Sequence, residues 1–461
     1  MKARGKNMKN LIKEFNTKDA LIVISSYPQK QGEPALLNAV ACYTGNLLHA
    51  YRDRKIIVLC EITSEAEMYR RGNLLIARCY RRGSPLLYLD LIRALLRFNK
   101  PRQILLQFEF NMLGQTPVTT LLPIFLAAVK LSGRRLSVVL HQVVEDLGTI
   151  GGHLGLTGMS LKRTILNRGL KSFYIATGML SDRIVVHEQT LKNRLAHMVN
   201  AEKIDVISHG LSLDNSEEVR PLRRGRTSRQ KLGLRKDEFV LLLFGYITWY
   251  KGVDWLIQKV GKLAQDQPKL KLLIAGGPSA TLRDKPHYQA FLRKVERLSK
   301  RYRRSVRVTG FIPENQVRSY FAAADLVVLP YRSLISASGP LSFALRFAKP
   351  ILLSKALAES LENPDVRTAL EQCRMQPEDL MFSLSGNDFA KKIESLVAKR
   401  GRLNRLSRAS IALRELRSWE TIVGLYEATL AKEPKASILV RLVQSLARPT
   451  TDKSETLATE S

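Results

Sequence analysis

Residues 306–354 read VRVTGFIPENQVRSYFAAADLVVLPYRSLISASGPLSFALRFAKPILLS. The apolar run 325–329 predicts a buried strand, and a turn rich in serine and glycine follows at 336–340. An apolar helix is predicted over 341–348 and another strand over 351–354. A strand that leads through a glycine turn into a helix presents free backbone N–H groups at the carboxyl edge of a parallel sheet, where α/β folds bind phosphates and other anions. This stretch therefore predicts an α/β fold with an anion site at that edge.

A second unit of the same type lies upstream. The run 239–245 (FVLLLFG) predicts a buried strand, and a loop at 246–254 connects it to an amphipathic helix at 255–264. The next strand is predicted at 271–275 and ends in the turn at 276–278, Gly-Gly-Pro. Two consecutive strand–turn–helix units indicate one parallel sheet with crossover helices.

The N-terminal half shows the same alternation. Short apolar strands separated by helices predict parallel sheets with right-handed connections. Because 461 residues exceed what one hydrophobic core supports, we expect two α/β domains. The predicted N-terminal strands are 20–25, 56–60, 104–108, 136–140, 183–186 and 204–207.

Five short motifs in the C-terminal half carry a resemblance to a known family. They are Gly-x5-Lys-Gly-Val-Asp (245–254), Leu-Ile-Ala-Gly-Gly (273–277), Val-Thr-Gly-Phe-Ile-Pro (308–313), Ala-Ala-Ala-Asp-Leu-Val-Val-Leu-Pro-Tyr (322–331) and Lys-Pro (349–350). In this order they resemble the nucleotide-sugar half of the group-1 (family 4) retaining glycosyltransferases. The resemblance implies the GT-B fold, in which two Rossmann-like domains face a cleft.

We divide the chain on this basis. The predicted parts are an acceptor-side Rossmann-like domain over 1–215, a basic linker over 216–238, a nucleotide-sugar-binding domain over 239–417, a helix over 418–435 that crosses back to the N-terminal domain, and a mobile tail over 436–461.

The resemblance implies a donor site at the turns of the C-terminal domain. Lys251 would contact the donor phosphates and neutralise charge as the leaving group departs. Tyr246 stands where the family often has arginine, and Arg332 is a candidate replacement for that phosphate contact. The predicted donor-binding residues are Gly32, Gly245, Tyr246, Lys251, Gly276, Ser338, Gly339, Pro340 and Leu341.

Two positions depart from the family pattern. Typical members carry a Glu-x7-Glu pair in which the first glutamate contacts the sugar and the second the ribose. This chain has Ile335 and Phe343 there. It resembles the branches of the family that keep a Ser-Gly-x-Leu turn while lacking these glutamates.

Histidines end or follow three of the predicted N-terminal strands. The resemblance implies that His141, after strand 136–140, contacts the sugar and the acceptor region, so we count it with Lys251 as a candidate catalytic residue. His187 is interpreted as structural, and His209 lies in a segment expected near the domain junction. We predict no metal site and no cofactor, since the nucleotide sugar is a co-substrate.

The net charge of +33 is unusual. It makes an anionic membrane surface a candidate partner, and 159–174 fits an interfacial basic helix; a merely solvated basic surface is the alternative. Nucleic acid is disfavoured because no basic motif is interleaved with aromatic residues. The four cysteines, at 42, 60, 79 and 373, show no metal-site spacing and indicate a reducing compartment. With neither a signal peptide nor a membrane span recognised, we expect a cytoplasmic protein, with the inner membrane face as a candidate location.

The sequence therefore predicts a transferase that moves a hexosyl group, with retention of configuration, from a nucleotide-diphospho-sugar to a lipid-linked or polysaccharide acceptor. A protein of the same fold that binds a sugar or nucleotide, or scaffolds glycan assembly, without catalysis is the main competing hypothesis. A surface binder of membrane or nucleic acid is also compatible with the charge. A nucleotide-sugar isomerase of the same fold would need a paired-carboxylate site, and no motif in the sequence supplies one.

Overall fold

The computed structural model describes residues 2–29, 39–110, 112–114, 116–145, 161–211, 223–279, 282–333 and 338–433. They form two sheets, each flanked by helices, so the predicted α/β fold with two Rossmann-like domains is confirmed. The carboxyl edges of these sheets position every candidate functional residue discussed below.

The first sheet has eight strands in the order β3-β4-β2-β1-β5-β6-β7-β8, all parallel except the β3–β4 pair. Its strands are β1 (Leu21–Ile24), β2 (Ile56–Glu61), β3 (Glu67–Arg71), β4 (Leu74–Tyr80), β5 (Gln103–Phe108), β6 (Arg135–Leu140), β7 (Arg183–Val186) and β8 (Ile204–Val206). Its helices are α1 (Lys2–Phe15), α2 (Ala39–Ala50), α3 (Leu87–Arg97), α4 (Thr116–Thr119), α5 (Leu122–Leu131), α6 (Leu161–Leu180) and α7 (Gln189–Ala196).

The second sheet has six parallel strands in the order β11-β10-β9-β12-β13-β14. They are β9 (Phe239–Phe244), β10 (Leu270–Ala275), β11 (Val306–Val308), β12 (Leu326–Leu329), β13 (Ile351–Ser354) and β14 (Met381–Phe382). The remaining helices are α8 (Arg223–Lys231), α9 (Val253–Asp266), α10 (Pro286–Arg301), α11 (Glu314–Ala323), α12 (Gly339–Arg346), α13 (Pro364–Gln372), α14 (Pro377–Leu380), α15 (Asp388–Ala398), α16 (Arg400–Leu416) and α17 (Trp419–Ala431).

The central strands are uninterrupted apolar runs because helices cover both faces of each sheet. Strand β1 (LIVI) and strand β12 (LVVL) are buried at every position. The hairpin of β3 and β4 was not predicted. Strand β3 (EMYRR) lies at the sheet edge and is half-buried or exposed throughout, so it lacks the apolar run that marks the other strands.

The basic segment expected to be a linker contains a helix. Residues 212–222 lie outside the described part of the chain, but helix α8 packs on helix α11. Arg229 donates to Ala323 O at 3.0 Å and pairs with Asp325 at 2.5 Å. Residues 223–231, within the segment 216–238 predicted to be a linker, therefore pack on the C-terminal domain. The signal was hidden because a helix of mostly arginine and polar residues has no apolar stripe.

The last helix, α17, leaves the C-terminal domain and packs on the N-terminal sheet. Ile422 and Tyr426 join a buried cluster with residues of β1 and α2. Tyr426 Oη lies 2.8 Å from Tyr43 Oη, and Arg54 pairs with Glu427 at 2.7 Å. The predicted tail beyond residue 435 lies outside the described residues.

A buried polar network joins the two domains. Asn363, the residue before helix α13, donates to Glu188 Oε2 at 2.9 Å, and its Oδ1 accepts from the Gln189 N–H at 2.7 Å. Asp365 accepts from Ser208 Oγ at 3.1 Å and forms an ion pair with Arg417. Burial raises the pKa of Glu188, whereas Asp365 and Glu188 outweigh the burial of Arg417 and raise its pKa. The charges in this junction therefore depend on each other.

We expect Arg417→Met to lower the apparent melting temperature strongly. Removing one member of a buried ion pair costs about 3–5 kcal/mol because the remaining charge stays buried without compensation. Thermal unfolding followed by circular dichroism measures the loss. Lys300→Met, which removes an exposed pair with Glu296, is the control and should unfold like the wild type. Equal melting temperatures for the two variants would contradict this account of the junction.

Candidate functional site

Lys251 lies at the carboxyl edge of the C-terminal sheet. It ends a short 3-10 turn, Trp249–Lys251, between strand β9 and helix α9. Only 6% of its surface is exposed. Burial lowers the pKa of its ammonium group to about 8, and no carboxylate of the described residues forms an ion pair with it. A buried ammonium group without a counter-charge is the arrangement expected where an anionic ligand completes a site.

Gly245 and the first turn of helix α12 adjoin the Lys251 ammonium group. Gly245 has φ +102°, in the left-handed region that favours glycine. A Cβ atom at this position would lie 3.0 Å from Lys251 Nζ and 3.1 Å from Pro340 Cγ. The structure thus brings together three of the predicted donor-site residues from separate segments of the chain.

Helix α12 offers fewer free N–H groups than the sequence suggested. Ser338 is the N-cap, and its Oγ accepts a hydrogen bond from the Leu341 N–H at 3.3 Å. Pro340 has no N–H group. The N–H groups of Ser338 and Gly339 form no hydrogen bond with another described residue. Within the described part of the chain, two donors at the positive end of the helix thus have no acceptor, as an anion site would require.

Gly276 borders a cavity of about 620 Å³. A Cβ atom at residue 276 would lie 2.0 Å from Gly245 O, so these two turns can approach each other only because residue 276 is glycine. Gly276, Gly277 and Gly310 form one end of the cavity, and helix α10 with strand β11 forms most of the rest. Its volume is typical of small-molecule sites.

Asp254 engages the arginine considered as a second phosphate contact. Arg332 Nη1 lies 2.9 Å from Asp254 Oδ1, and Lys294 Nζ lies 2.7 Å from Asp254 Oδ2. Although burial alone would raise it, these two cationic partners hold the pKa of Asp254 below its usual value. The charge of Arg332 is thus compensated within the protein, unlike that of Lys251. The sequence pattern Lys-Gly-Val-Asp contains Asp254, but it does not predict that Arg332 and Lys294 pair with this residue.

Phe343 occupies the position of the second family glutamate and belongs to the domain core. Its ring centroid lies 5.1 Å from that of Phe244 and 6.1 Å from that of Phe321. No carboxylate therefore stands at this position to hold a ribose. Ile335 and Gly32 lie outside the described residues. Tyr246 is 49% exposed, beside Gly245.

His141 lies in the N-terminal domain, where it is 9% exposed. Its Nε2 is 2.8 Å from Gln107 Oε1, and the Tyr43 ring covers it at a centroid distance of 5.1 Å. Burial lowers the pKa of His141 well below the usual value, so the ring is neutral. His187 and His209, for which the sequence predicted separate roles, lie against it.

Comparison with known proteins identifies the C-terminal half. Residues 238–398 match the family model of the group-1 glycosyl transferases. The C-terminal domain is a group-1 glycosyltransferase domain. It contains Lys251 and all the predicted donor-binding residues except Gly32.

Curated relatives match over a limited segment. The D-inositol 3-phosphate glycosyltransferase of Mycobacterium avium (strain 104) is 31% identical over 154 residues, which are 32% of this chain and 33% of that protein. The enzyme of the same name from Mycobacterium tuberculosis (strain F11) is also 31% identical over 154 residues, 32% of this chain and 29% of that protein. The chain thus spans about a third of the length of these curated relatives.

Solved structures resemble the chain over both domains. HepE of Anabaena in complex with UDP superimposes with a TM-score of 0.58 at 15% identity, covering 90% of this chain and 99% of that one. Sucrose-phosphate synthase of Thermosynechococcus elongatus gives a TM-score of 0.57 at 16% identity, covering 93% and 100%. At such identities the likeness shows the fold. The two-domain architecture of the chain is therefore GT-B.

We expect Lys251→Met to stabilise the protein at neutral pH. The difference between the free lysine pKa of 10.5 and the value of about 8 corresponds to a burial penalty of roughly 3 kcal/mol. Below pH 8 the folded wild type carries this penalty in full. The advantage of the variant should shrink as the pH rises from 8 to 10.5, where the unfolded lysine also loses its proton.

Melting temperatures at pH 7 and pH 10 measure this difference. Lys262→Met, on the exposed face of helix α9, is the matched control and should follow the wild type at both pH values. A Lys251→Met protein less stable than the wild type at pH 7 would show that the ammonium group has a compensating partner.

Proposed function

We propose that the chain transfers a sugar from a nucleotide-diphospho-sugar and that the donor binds at the carboxyl edge of the C-terminal sheet. The observation that carries this proposal is the buried, uncompensated Lys251 ammonium group beside Gly245 and the N-terminus of helix α12. A pyrophosphate there would supply the missing counter-charge and accept hydrogen bonds from the Ser338 and Gly339 amides.

The similar structures support the type of donor. HepE of Anabaena has been solved in complex with UDP, with UDP and glucose, and with UDP-glucose. A synthase of Burkholderia xenovorans with a TM-score of 0.55 is described as UDP-forming. Gly276 borders the cavity and also packs against Gly245 beside Lys251, so we propose that the nucleoside end of the donor lies at that cavity and the sugar end toward the N-terminal domain.

The proposed reaction proceeds with retention. A hydroxyl oxygen of the acceptor bonds to the anomeric carbon on the face that the pyrophosphate leaves, the bond from that carbon to the phosphate oxygen breaks, and the hydroxyl proton passes to a phosphate oxygen. Lys251 would stabilise the negative charge that develops on the departing diphosphate. The protein would contribute alignment and charge stabilisation rather than a side-chain base.

Nucleotide binding tests the donor site. Isothermal titration with UDP and GDP should show binding of at least one of them, weakened at least about tenfold in Lys251→Met because a charge-assisted contact is lost. Affinity should also fall as the pH rises through about 8, where free Lys251 loses its proton. The Lys262→Met control should bind like the wild type. Binding that is equal in all three proteins would exclude Lys251 from the donor site.

A second candidate function is binding without catalysis, because the Glu-x7-Glu pair of typical family members is missing: Phe343 stands at its second position, where the ring packs on that of Phe244. The two functions separate in one experiment. The titration shows which nucleotide, UDP or GDP, binds to the protein. A sugar conjugate of that nucleotide is then incubated with the wild type, and release of the free nucleotide is followed with and without added acceptors. Turnover above that of Lys251→Met supports the transferase, whereas tight binding with no turnover supports the binding protein.

For the acceptor, we propose a lipid-linked or polysaccharide glycan at an anionic membrane surface. No helix in the described part of the chain is long and apolar enough to cross a bilayer. Helix α6, however, exposes Ile165 at 60% and Leu166 at 38% next to exposed basic residues Arg168 and Lys171. Exposed apolar and basic residues on one helix are typical of interfacial binding.

We expect the full chain to co-sediment with vesicles containing phosphatidylglycerol and to remain in the supernatant with phosphatidylcholine alone. The double variant Ile165→Glu/Leu166→Glu should lose most of this binding, because two carboxylates replace the inserted side chains and repel the surface. Ile411→Glu, at an exposed position of helix α16, is the control. If both variants bind equally, helix α6 is not the contact, and activity on a soluble sugar phosphate becomes the favoured hypothesis.

A further inference from the structure

Three histidines converge at the carboxyl edge of the N-terminal sheet. His141 follows strand β6 directly, His187 follows strand β7 directly, and His209 comes three residues after strand β8. These strands are parallel neighbours, so their ends meet at one edge. The ring centroid of His187 lies 4.7 Å from that of His141 and 4.2 Å from that of His209. One potential ligand nitrogen from each histidine lies within 4.8 Å of the other two.

The hydrogen bonds of two rings leave one lone pair on each. His187 Nδ1 lies 2.8 Å from Ile207 O, and since a carbonyl oxygen only accepts, Nδ1 carries the proton and Nε2 the lone pair. His141 Nε2 lies 2.8 Å from Gln107 Oε1, which likewise accepts, so the lone pair is on Nδ1. In metal sites, ligating histidines usually donate their second N–H to a carbonyl or similar acceptor in this way.

His187 Nε2 is left without a partner. His187 is 1% exposed, and its Nε2 has no hydrogen-bond partner among the described residues. An unpaired acceptor buried this deeply is costly, and a bound ion would satisfy it. His209 is more exposed than the other two histidines.

The three ligating side chains indicate which class of metal ion the site would bind. Three imidazoles, with no carboxylate in the group, suit zinc, copper, nickel and cobalt rather than magnesium or calcium. Tetrahedral zinc–nitrogen bonds of about 2.0–2.1 Å place ligand nitrogens about 3.3 Å apart. The ligand nitrogens therefore need to approach one another by roughly 1.5 Å at most from the observed limit of 4.8 Å, a movement within the reach of side-chain adjustment.

We propose that His141, His187 and His209 bind a divalent transition metal ion of the zinc class. The aromatic ring of Tyr43 faces all three histidines at centroid distances of 5.1, 5.0 and 4.8 Å and closes one side of the site. This site is in the other domain from Lys251, and the inference does not depend on the donor site.

Zinc binding to the full chain, produced without a histidine tag and freed of metal with a chelator, tests the proposal. Equilibrium dialysis against ZnCl2 followed by metal analysis should give one tightly bound ion per chain. His209→Ala should bind at least about tenfold more weakly. His287→Ala, which removes an exposed histidine of the C-terminal domain, should bind like the wild type.

Cobalt serves as a second probe that reports the ligand geometry. Co²⁺ added to the wild type should give the visible absorption bands of tetrahedral coordination, and these should disappear in His187→Ala and persist in His287→Ala. Circular dichroism of the metal-free variants establishes that they are folded, and His209→Ala, at the least buried of the three positions, provides the test if His187→Ala is not. The proposal is overturned if the wild type binds no zinc or if His209→Ala retains wild-type zinc affinity.

Discussion

Parallel neighbouring strands end at the same edge of a sheet, and both candidate sites depend on that constraint. In the C-terminal domain, strands β9, β10 and β12 bring Gly245, Gly276 and the start of helix α12 to one edge. In the N-terminal domain, strands β6 to β8 do the same for three histidines. Residues separated by dozens of positions thereby become neighbours, although no local sequence pattern predicts that they meet. The apolar strands thus determine where the candidate sites lie, and the residues in the turns that follow them determine which ligands each site could bind.

Three cationic side chains with restricted exposure show that a structural cation differs from a candidate ligand-binding cation in the partners around its charge. Arg417 is buried with Asp365 and Glu188 nearby, so its charge is compensated and it holds the domain junction. Lys349 has a pKa lowered to about 8, but its Nζ donates to Ala324 O at 2.9 Å. Lys251 has a similar pKa, with neither a carboxylate nor a carbonyl partner among the described residues. A lowered pKa alone therefore does not distinguish a binding site from a structural lysine. The proposed site rests on the further observation that Lys251 has no carboxylate or carbonyl partner among the described residues and lies beside a glycine turn and a helix N-terminus.

The sequence predicted the parts of the fold that local patterns encode. Strand β13 and strand β7 match their predicted ranges because apolar runs between turns are unambiguous. Helix α8 and the β3–β4 hairpin were not predicted, since helix α8 and strand β3 are mostly polar. Both elements are partly buried only by contact with segments that are distant in the sequence. The junction of Asn363 with Glu188 joins residues 175 positions apart, which no local pattern signals. All three histidines were recognised, but their convergence follows from strand order, which was not predicted.

Phe343 and Lys251 stand at positions associated with two different tasks of a sugar-donor site, binding the ribose and stabilising the departing diphosphate. Contacts to a ribose are equally strong before and during reaction, so they increase occupancy without lowering the barrier. Contacts to the departing diphosphate strengthen as charge develops, so they accelerate the reaction. In the proposed site Lys251 would supply the second type, whereas Phe343, packed on Phe244, stands where the family has one contact of the first type. A transferase with this site would lose affinity for the nucleoside before it lost the ability to stabilise the leaving group. The substitution therefore argues for weak donor binding more strongly than for absence of catalysis.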